Sequence, residues 1–387
     1  MDYEKLLSPT VRALKPSGIR KFFDIANTMQ GVISLGVGEP DFPTPWEIRK
    51  AGIRSLENGK TRYTANRGLE LLCREVAAYT DRKYGFSYDP ATEVMITVGG
   101  SEGIDAAIRA LVCAGDEVII PQPSYVCYEP LVRLAGGIPV ILETTAQSDF
   151  KVTPEMLRSV LSPRTKLLIL PYPCNPTGAI MERADLEALA AVLHGTDVVV
   201  LSDEIYAELT FGEKGHASLA AVPDMKERTV VVNGFSKTFS MTGWRLGYAC
   251  APAPIMKQMV KIHQFAIMCA PTTSQYAAVE ALRNGDEAVA AMKEEYDMRR
   301  RLIVKGFNEL GLSCREPKGA FYAFPCIKST GMTSDEFCEK LLYAEKVAVV
   351  PGTAFGQGGE GYIRASYCYS TEHISEALRR IGHFLKK

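Results

Sequence analysis

The sequence predicts an α/β protein, with a mostly parallel sheet in a large unit and a smaller α+β unit beside it. Three observations carry that expectation. From about residue 90 to 250, short β-branched runs alternate with helical patterns, as parallel strands joined by crossover helices require. Each run ends in a loop holding polar residues, which is where open α/β sheets place their ligands. A charged stretch with helical spacing then leads into further strand-like runs near the C-terminus.

The five runs read as buried strands are Val94 to Val98, Glu117 to Ile120, Lys166 to Leu170, Asp197 to Leu201 and Thr229 to Val232. Between Asp286 and Leu310 the apolar residues Ala288, Met292, Leu302, Val304 and Phe307 recur among lysine, glutamate and arginine, so the charged residues are expected to be exposed. Beyond it, Ala320 to Phe324, Val347 to Val350 and Tyr362 to Tyr367 read as strands of a βαβ-like part. No internal repeat or low-complexity segment interrupts the pattern.

Size and composition narrow the function classes. A chain of 387 residues that is 47% hydrophobic is long enough for two domains. Its 44 basic and 45 acidic residues cancel, so no overall field favours nucleic acid or an anionic membrane. No segment approaches the roughly 18 uninterrupted apolar residues of a spanning helix, and the start, Met1 to Lys5, has no apolar leader. The expectation is a cytoplasmic protein acting on small molecules. Ten scattered cysteines without a Cys-x-x-Cys pair read as reduced, mostly buried thiols. No His-Glu-x-x-His, paired-Cys or Asp-rich loop supports a metal site.

Three literal motifs compete for attention. Gly99-Gly100-Ser101-Glu102-Gly103 lies between a strand and a helix and matches the nucleophile elbow of a serine hydrolase. That use of Ser101 needs a histidine after its acid, and His216, His263, His373 and His383 lie in no supporting motif. The same residues serve as an anion turn, in which backbone N–H groups at a helix N-terminus and the Ser101 hydroxyl hold a phosphate. Gly356 to Gly361 spells G-x-G-x-x-G but precedes a strand rather than a helix, so it reads as a turn. Gly59-Lys60-Thr61 ends like a P-loop, with Arg54 where its first glycine belongs.

Lys237 stands in the run Asn233 to Gly247, among Phe235, Phe239, Met241 and Trp244, with Arg245 eight positions on. A lysine desolvated by such neighbours is available as a free amine for Schiff-base chemistry. Tyr125, Asn175 in Asn-Pro-Thr-Gly, and Asp203 and Tyr206 in Ser-Asp-Glu-Ile-Tyr follow other strand runs. Singly these are a packed ring, a turn and a helix cap. Together they supply what pyridoxal 5'-phosphate needs: an amine for its aldehyde, an acid for its pyridinium nitrogen, donors for its phenolic oxygen, an aromatic plane, and cations with N–H groups for its phosphate.

With these residues in order, the chain resembles the fold-type I, class I/II pyridoxal-phosphate aminotransferases nearly end to end. The match includes Leu35 to Phe42, Tyr63 to Gly68, Asn175 to Gly178, Ser202 to Tyr206, Lys237 to Gly247 and Tyr362 to Arg364. The run Ile19 to Asp24, with Asn233 to Lys237, is most similar to the aromatic, aspartate and N-acetyl-diaminopimelate subgroup.

The resemblance implies a three-layer α/β/α large domain over residues 48–285 and a small domain from 1–47 and 286–387. It implies that Lys237 carries the cofactor and acts as general acid/base. Asp203 would face the ring nitrogen, Tyr206 and Asn175 the 3′-oxygen, and Tyr125 the ring plane. Arg245, Ser101, Ser236 and the backbone of Gly100 and Glu102 would hold the phosphate, with Tyr63 reaching the neighbouring subunit's phosphate in a homodimer. Arg364 would take the substrate α-carboxylate, helped by Asn175 and the Gly38 amide.

The chain departs from the family pattern at Gly234, where many relatives place a phosphate-binding serine, and it offers no evident second arginine for a distal carboxylate. Side-chain selectivity is therefore expected from Ile19 to Phe23, the stretch near Tyr63 and the Gly356 to Gly361 turn. Such a wall predicts aromatic donors, tolerance of aspartate or glutamate, and 2-oxoglutarate as acceptor. A pyridoxal-phosphate C–S β-lyase is the alternative, since the same groups can expel a β-substituent. A non-catalytic scaffold is disfavoured by the intact Lys237, Asp203, Arg245 and Arg364.

Overall fold

A short strand, β1 (Ile33–Ser34), precedes the seven strands of the main sheet: β2 (Val94–Thr97), β3 (Glu117–Gln122), β4 (Ile138–Glu143), β5 (Thr165–Leu170), β6 (Val199–Asp203), β7 (Thr229–Gly234) and β8 (Gly247–Cys250). The computed structural model describes residues 1, 3–16, 18 and 29–386. The spatial order is β2-β8-β7-β6-β5-β3-β4, with β8 antiparallel to both neighbours and every other pairing parallel. This is the mostly parallel α/β sheet that the alternating runs predict.

Strand alternation builds three layers. On β5, Leu167 and Ile169 enter one core with Ile104, Ile108, Met256 and Met259, from the helices Gly100–Leu111 and Ala253–Ala266. Leu168 and Leu170 point the other way and pack with Leu157, Leu186 and Leu189, from the helices Pro154–Val160 and Arg183–Leu193. A period of two thus gives the sheet two buried faces.

The run begun at Asp197 becomes strand only from Val199 and continues to Asp203. Strands β4 and β8 had no counterpart among the predicted runs. β4 is an edge strand that contains Pro139 and stays largely uncovered, while β8 is four residues of Gly-Tyr-Ala-Cys, weak in β-branched character.

The remaining strands are β9 (Tyr322–Ala323), β10 (Val347–Ala348), β11 (Val350–Pro351) and β12 (Ile363–Ser366). β11, β12 and β9 form an antiparallel sheet, while β10 pairs in parallel with β1. This corrects the βαβ-like expectation: the helix Ser334–Glu345 joins β9 to β10, but those two strands lie in different sheets. The helix Asp286–Glu309 also differs from its reading, because Arg299 and Arg300 are buried. Arg299 forms ion pairs with Asp41 and Glu295, and Arg300 with Asp297 and Glu316, which makes their burial tolerable.

All ten cysteines are free and six are buried, with Cys113 exposed. Among the described residues no helix is long and apolar enough to cross a membrane.

Candidate active site

The C-terminal ends of β5, β6 and β7, with the turn after β2, open onto one cavity of about 500 Å³. Gly38, Gly100, Ser101, Tyr125, Asn175, Asp203, Tyr206, Ser236, Lys237, Arg245 and Arg364 all line it. Two residues assigned from the sequence do not. Tyr63 is 81% exposed on the surface, and Glu102 turns its carboxylate to Val98 and His263.

Lys237 follows β7 on the short helix Phe235–Thr238, and its Nζ donates to the Gly38 carbonyl at 2.7 Å. Its amine lies over the Phe321 ring, 5.7 Å from the ring centre. Phe235 and Phe239 instead stack on one another in the core. Burial lowers the amine from the ordinary lysine value to about 8, so it gives up its proton far more readily than an exposed lysine.

The end of β6 supplies Asp203, whose Oδ2 accepts from the Tyr128 hydroxyl at 2.7 Å and whose Oδ1 accepts from the Ile205 N–H at 3.2 Å. Burial pushes this carboxyl upward. No cation among the described residues pairs with it. Behind it, Glu204 points away from the cavity and is satisfied by Ser202, Ser218 and His216. The Tyr206 hydroxyl meets that of Tyr322 at 2.8 Å, and burial raises the Tyr206 phenol well above its usual value.

Arg364 on β12 spans the cavity from the C-terminal side. Its Nη1 donates to Asn175 Oδ1 at 2.8 Å and its Nη2 to the Gly36 carbonyl at 2.5 Å, while Nε is buried with no partner among the described residues. Tyr322 and Phe355 hold the guanidinium between their rings, 4.4 and 4.8 Å from its carbon.

At the opposite end, Gly99 adopts φ 75° before the helix Gly100–Leu111, a conformation that favours glycine. A Cβ on Gly99 would also stand 2.8 Å from Arg245 Nη2. Arg245 has a left-handed backbone, φ 52°, with its Nη1 tied to the Thr242 carbonyl at 3.1 Å, a strained placement of the kind found at binding sites. The departure at Gly234 has a local reason: a Cβ there would meet Ile205 at 3.0 Å and Gly247 at 3.1 Å.

Among the described residues, the cavity lining therefore carries three cations, Lys237, Arg245 and Arg364, against one carboxylate, Asp203. An excess of positive charge suits a ligand with a phosphate at one end and a carboxylate at the other.

The hydrolase reading of Ser101 gains no histidine. His263 bonds Glu102, His216 bonds Glu204, His373 contacts the Ser34 carbonyl and His383 contacts Glu345. Sequence reasoning missed Tyr128, Phe321 and Tyr322. A tyrosine inside a buried strand needs a partner for its hydroxyl, and that was the available signal for Tyr322. The Ile19 to Phe23 segment lies outside the described residues, and the Gly356 to Gly361 turn packs against Gln122 and Gly352 without lining the cavity.

Comparison with known proteins bears on the same geometry. Residues 30–381 match the family model "Aminotransferase class I and II". A Bacillus subtilis (strain 168) protein named as an aminotransferase is 55% identical, over 98% of each chain. An aspartate aminotransferase of Pyrococcus abyssi is 44% identical, again over 98% of each. The crystal structure of an aromatic aminotransferase from Pyrococcus horikoshii superposes with a TM-score of 0.90 at 43% identity, covering 94% of this chain and 98% of that one.

Proposed function

We propose, from the premise that this chain belongs to the class I and II aminotransferase family, that its transamination takes place in the cavity around Lys237 with pyridoxal 5'-phosphate as cofactor. The observation that carries the proposal is the presence on one cavity of a buried amine, lowered to about 8, and a buried carboxylate that has no cation partner among the described residues. Those two groups, with the cationic ends of the cavity, fit the cofactor's aldehyde, pyridinium nitrogen and phosphate. Bound there, pyridoxal phosphate supplies a carbonyl for the amino group and a protonated ring that takes up the electron pair left when the α-proton departs.

The chain's own groups do the rest. Lys237 Nζ holds the cofactor and, once displaced by the incoming amine, takes the α-proton as base and returns it as acid. Tyr128 and the Ile205 N–H fix the Asp203 carboxylate, so its charge faces the ring nitrogen without reorganising. Asn175 spends its carbonyl on Arg364, which leaves its amide N–H groups and the Tyr206 hydroxyl for the 3′-oxygen. Tyr125 covers the ring plane. Gly100, Ser101, Ser236 and Arg245 take the phosphate, and Arg364 takes the substrate α-carboxylate as a fork.

Two further parts of the reading rest on surface and topology. The main sheet, in residues 48–285, forms a large domain, and 1–47 with 286–387 a small one, with Arg364 and Tyr322 bringing the small domain to the cavity. The protein acts as a cytoplasmic homodimer with Tyr63 reaching the neighbouring site. Its exposure supports this, as do the ties of its segment to Met268 and Thr272 beside the exposed Phe265.

The donors are aromatic amino acids, with aspartate or glutamate also accepted, and 2-oxoglutarate is the acceptor. Relatives named for aspartate and for aromatic substrates support that range. A donor screen against 2-oxoglutarate tests it, with phenylalanine or tyrosine expected among the best donors. Selectivity for alanine without aromatic turnover contradicts the substrate class. Pyruvate and ammonia released from cysteine without a 2-oxo acid indicates the β-lyase instead.

A further inference from the structure

The turn assigned to the phosphate is braced from behind by a buried pair that the catalytic reading leaves unused. His263, on the helix Ala253–Ala266, has 0% of its surface exposed. Its Nδ1 bonds Glu102 Oε1, while Nε2 has no partner among the described residues. Glu102 already accepts the Val98 N–H through its other oxygen, and in the pair with His263 it is Nδ1 that can donate to the carboxylate. Thr97 Oγ1 donates to the Gly99 carbonyl at 2.9 Å. Glu102 thus ties the residue before Gly99 to the third residue of the helix and docks both on His263.

The arrangement matters because of charge. A carboxylate in the first turn of a helix is attracted by the same N–H groups that an anion would use. Gly99, Gly100 and Ser101 line the cavity but Glu102 does not, because His263 and Val98 hold its side chain on the far side. Swung forward, it would place a second carboxylate among groups that now offer Arg245, Ser101 and backbone N–H to an anion.

We infer that His263 is a positioning residue for phosphate recognition: through its hydrogen bond it keeps Glu102 turned away and fixes the Gly99–Ser101 turn open to a phosphate. The inference rests on the reading that this turn and Arg245 hold the cofactor phosphate.

The test compares equilibrium binding of pyridoxal phosphate and of pyridoxal, which lacks the phosphate, to the full-length chain freed of cofactor, followed by absorbance. The ratio of the two affinities isolates phosphate recognition from the rest of the site. His263→Leu is expected to lower that ratio about tenfold or more, as for loss of a hydrogen bond to a charged group, with pyridoxal affinity within about twofold of wild type. His263→Asn, whose amide can donate from the position of Nδ1, is expected to restore most of it. Should the leucine variant fold poorly, His263→Phe, which keeps a ring of similar size without a donor, frees Glu102 in the same way and is expected to give the same loss.

An unchanged ratio in either variant overturns the inference, and so does an equal loss for both ligands, which marks a purely structural role. Arg245→Gln serves as control. If it too leaves the ratio at the wild-type value, the placement of the phosphate is at fault, whereas a fall there with none in His263→Leu removes the role of His263 alone.

Discussion

The hydroxyls of Tyr206 and Tyr322 meet at 2.8 Å, joining residues 116 positions apart. The Tyr322 ring also lies against the Arg364 guanidinium, 4.4 Å away. One side chain therefore touches both the group assigned to the 3′-oxygen and the group assigned to the substrate carboxylate.

Tyr322→Phe separates those two contacts. It keeps the ring under Arg364 and removes the hydrogen bond to Tyr206, a loss of about 0.5–1.5 kcal/mol. We expect kcat to fall by up to about tenfold with KM for the amino acid nearly unchanged. Steady-state kinetics on a good donor checks this, and a raised KM with intact kcat contradicts it.

The lowered Lys237 amine sets a pH dependence. A protonated amine cannot attack an aldehyde, and the amine is free only above its pKa of about 8. Association of pyridoxal phosphate with the cofactor-free chain should therefore accelerate as pH rises through about 8 and level off above it. An unperturbed lysine would keep gaining up to about pH 10.4, so stopped-flow rates between those values decide the point.

Among the described residues, Asp203 is the only carboxylate lining the cavity, and Asp203→Ala removes it. Breaking a buried charge pair costs about 3–5 kcal/mol, shared between cofactor affinity and the barrier. We expect turnover to fall roughly a hundredfold or more and pyridoxal phosphate to bind more weakly. Unchanged values of both would assign the acid another task.

Arg364→Lys keeps a positive charge but loses the fork held between Tyr322 and Phe355. The kcat/KM for tyrosine should drop about tenfold to a hundredfold, in line with about 1.5–3 kcal/mol for charged hydrogen bonds. Binding of tyramine, which has no α-carboxylate, should change little. An equal loss for both ligands argues against carboxylate recognition.

Much of this site was legible before folding because its polar residues follow β-branched runs, and parallel topology brings strand ends together. That logic placed Asn175, Asp203 and Lys237 on one cavity. It could not supply Tyr128 or Tyr322, whose partners lie 75 and 116 residues away and whose apolar surroundings read as core. Phe321 replaced Phe235 and Phe239 as the ring beside the amine for the same reason: local sequence shows which residues are apolar, not which face of which element they meet. Edge strand β4 and the short β8 escaped because a proline and small residues dilute the strand pattern. The buried Arg299 and Arg300 escaped because their carboxylate partners include distant Asp41 and Glu316.

The central claim is that the Lys237 amine carries pyridoxal phosphate. Reducing the cofactor-loaded protein with borohydride fixes that linkage, and peptide mass spectrometry then locates it. The account predicts a phosphopyridoxyl group on Lys237 in near-stoichiometric yield, absent from Lys237→Ala. A label on a different lysine, or full labelling of the Lys237→Ala protein, would contradict it.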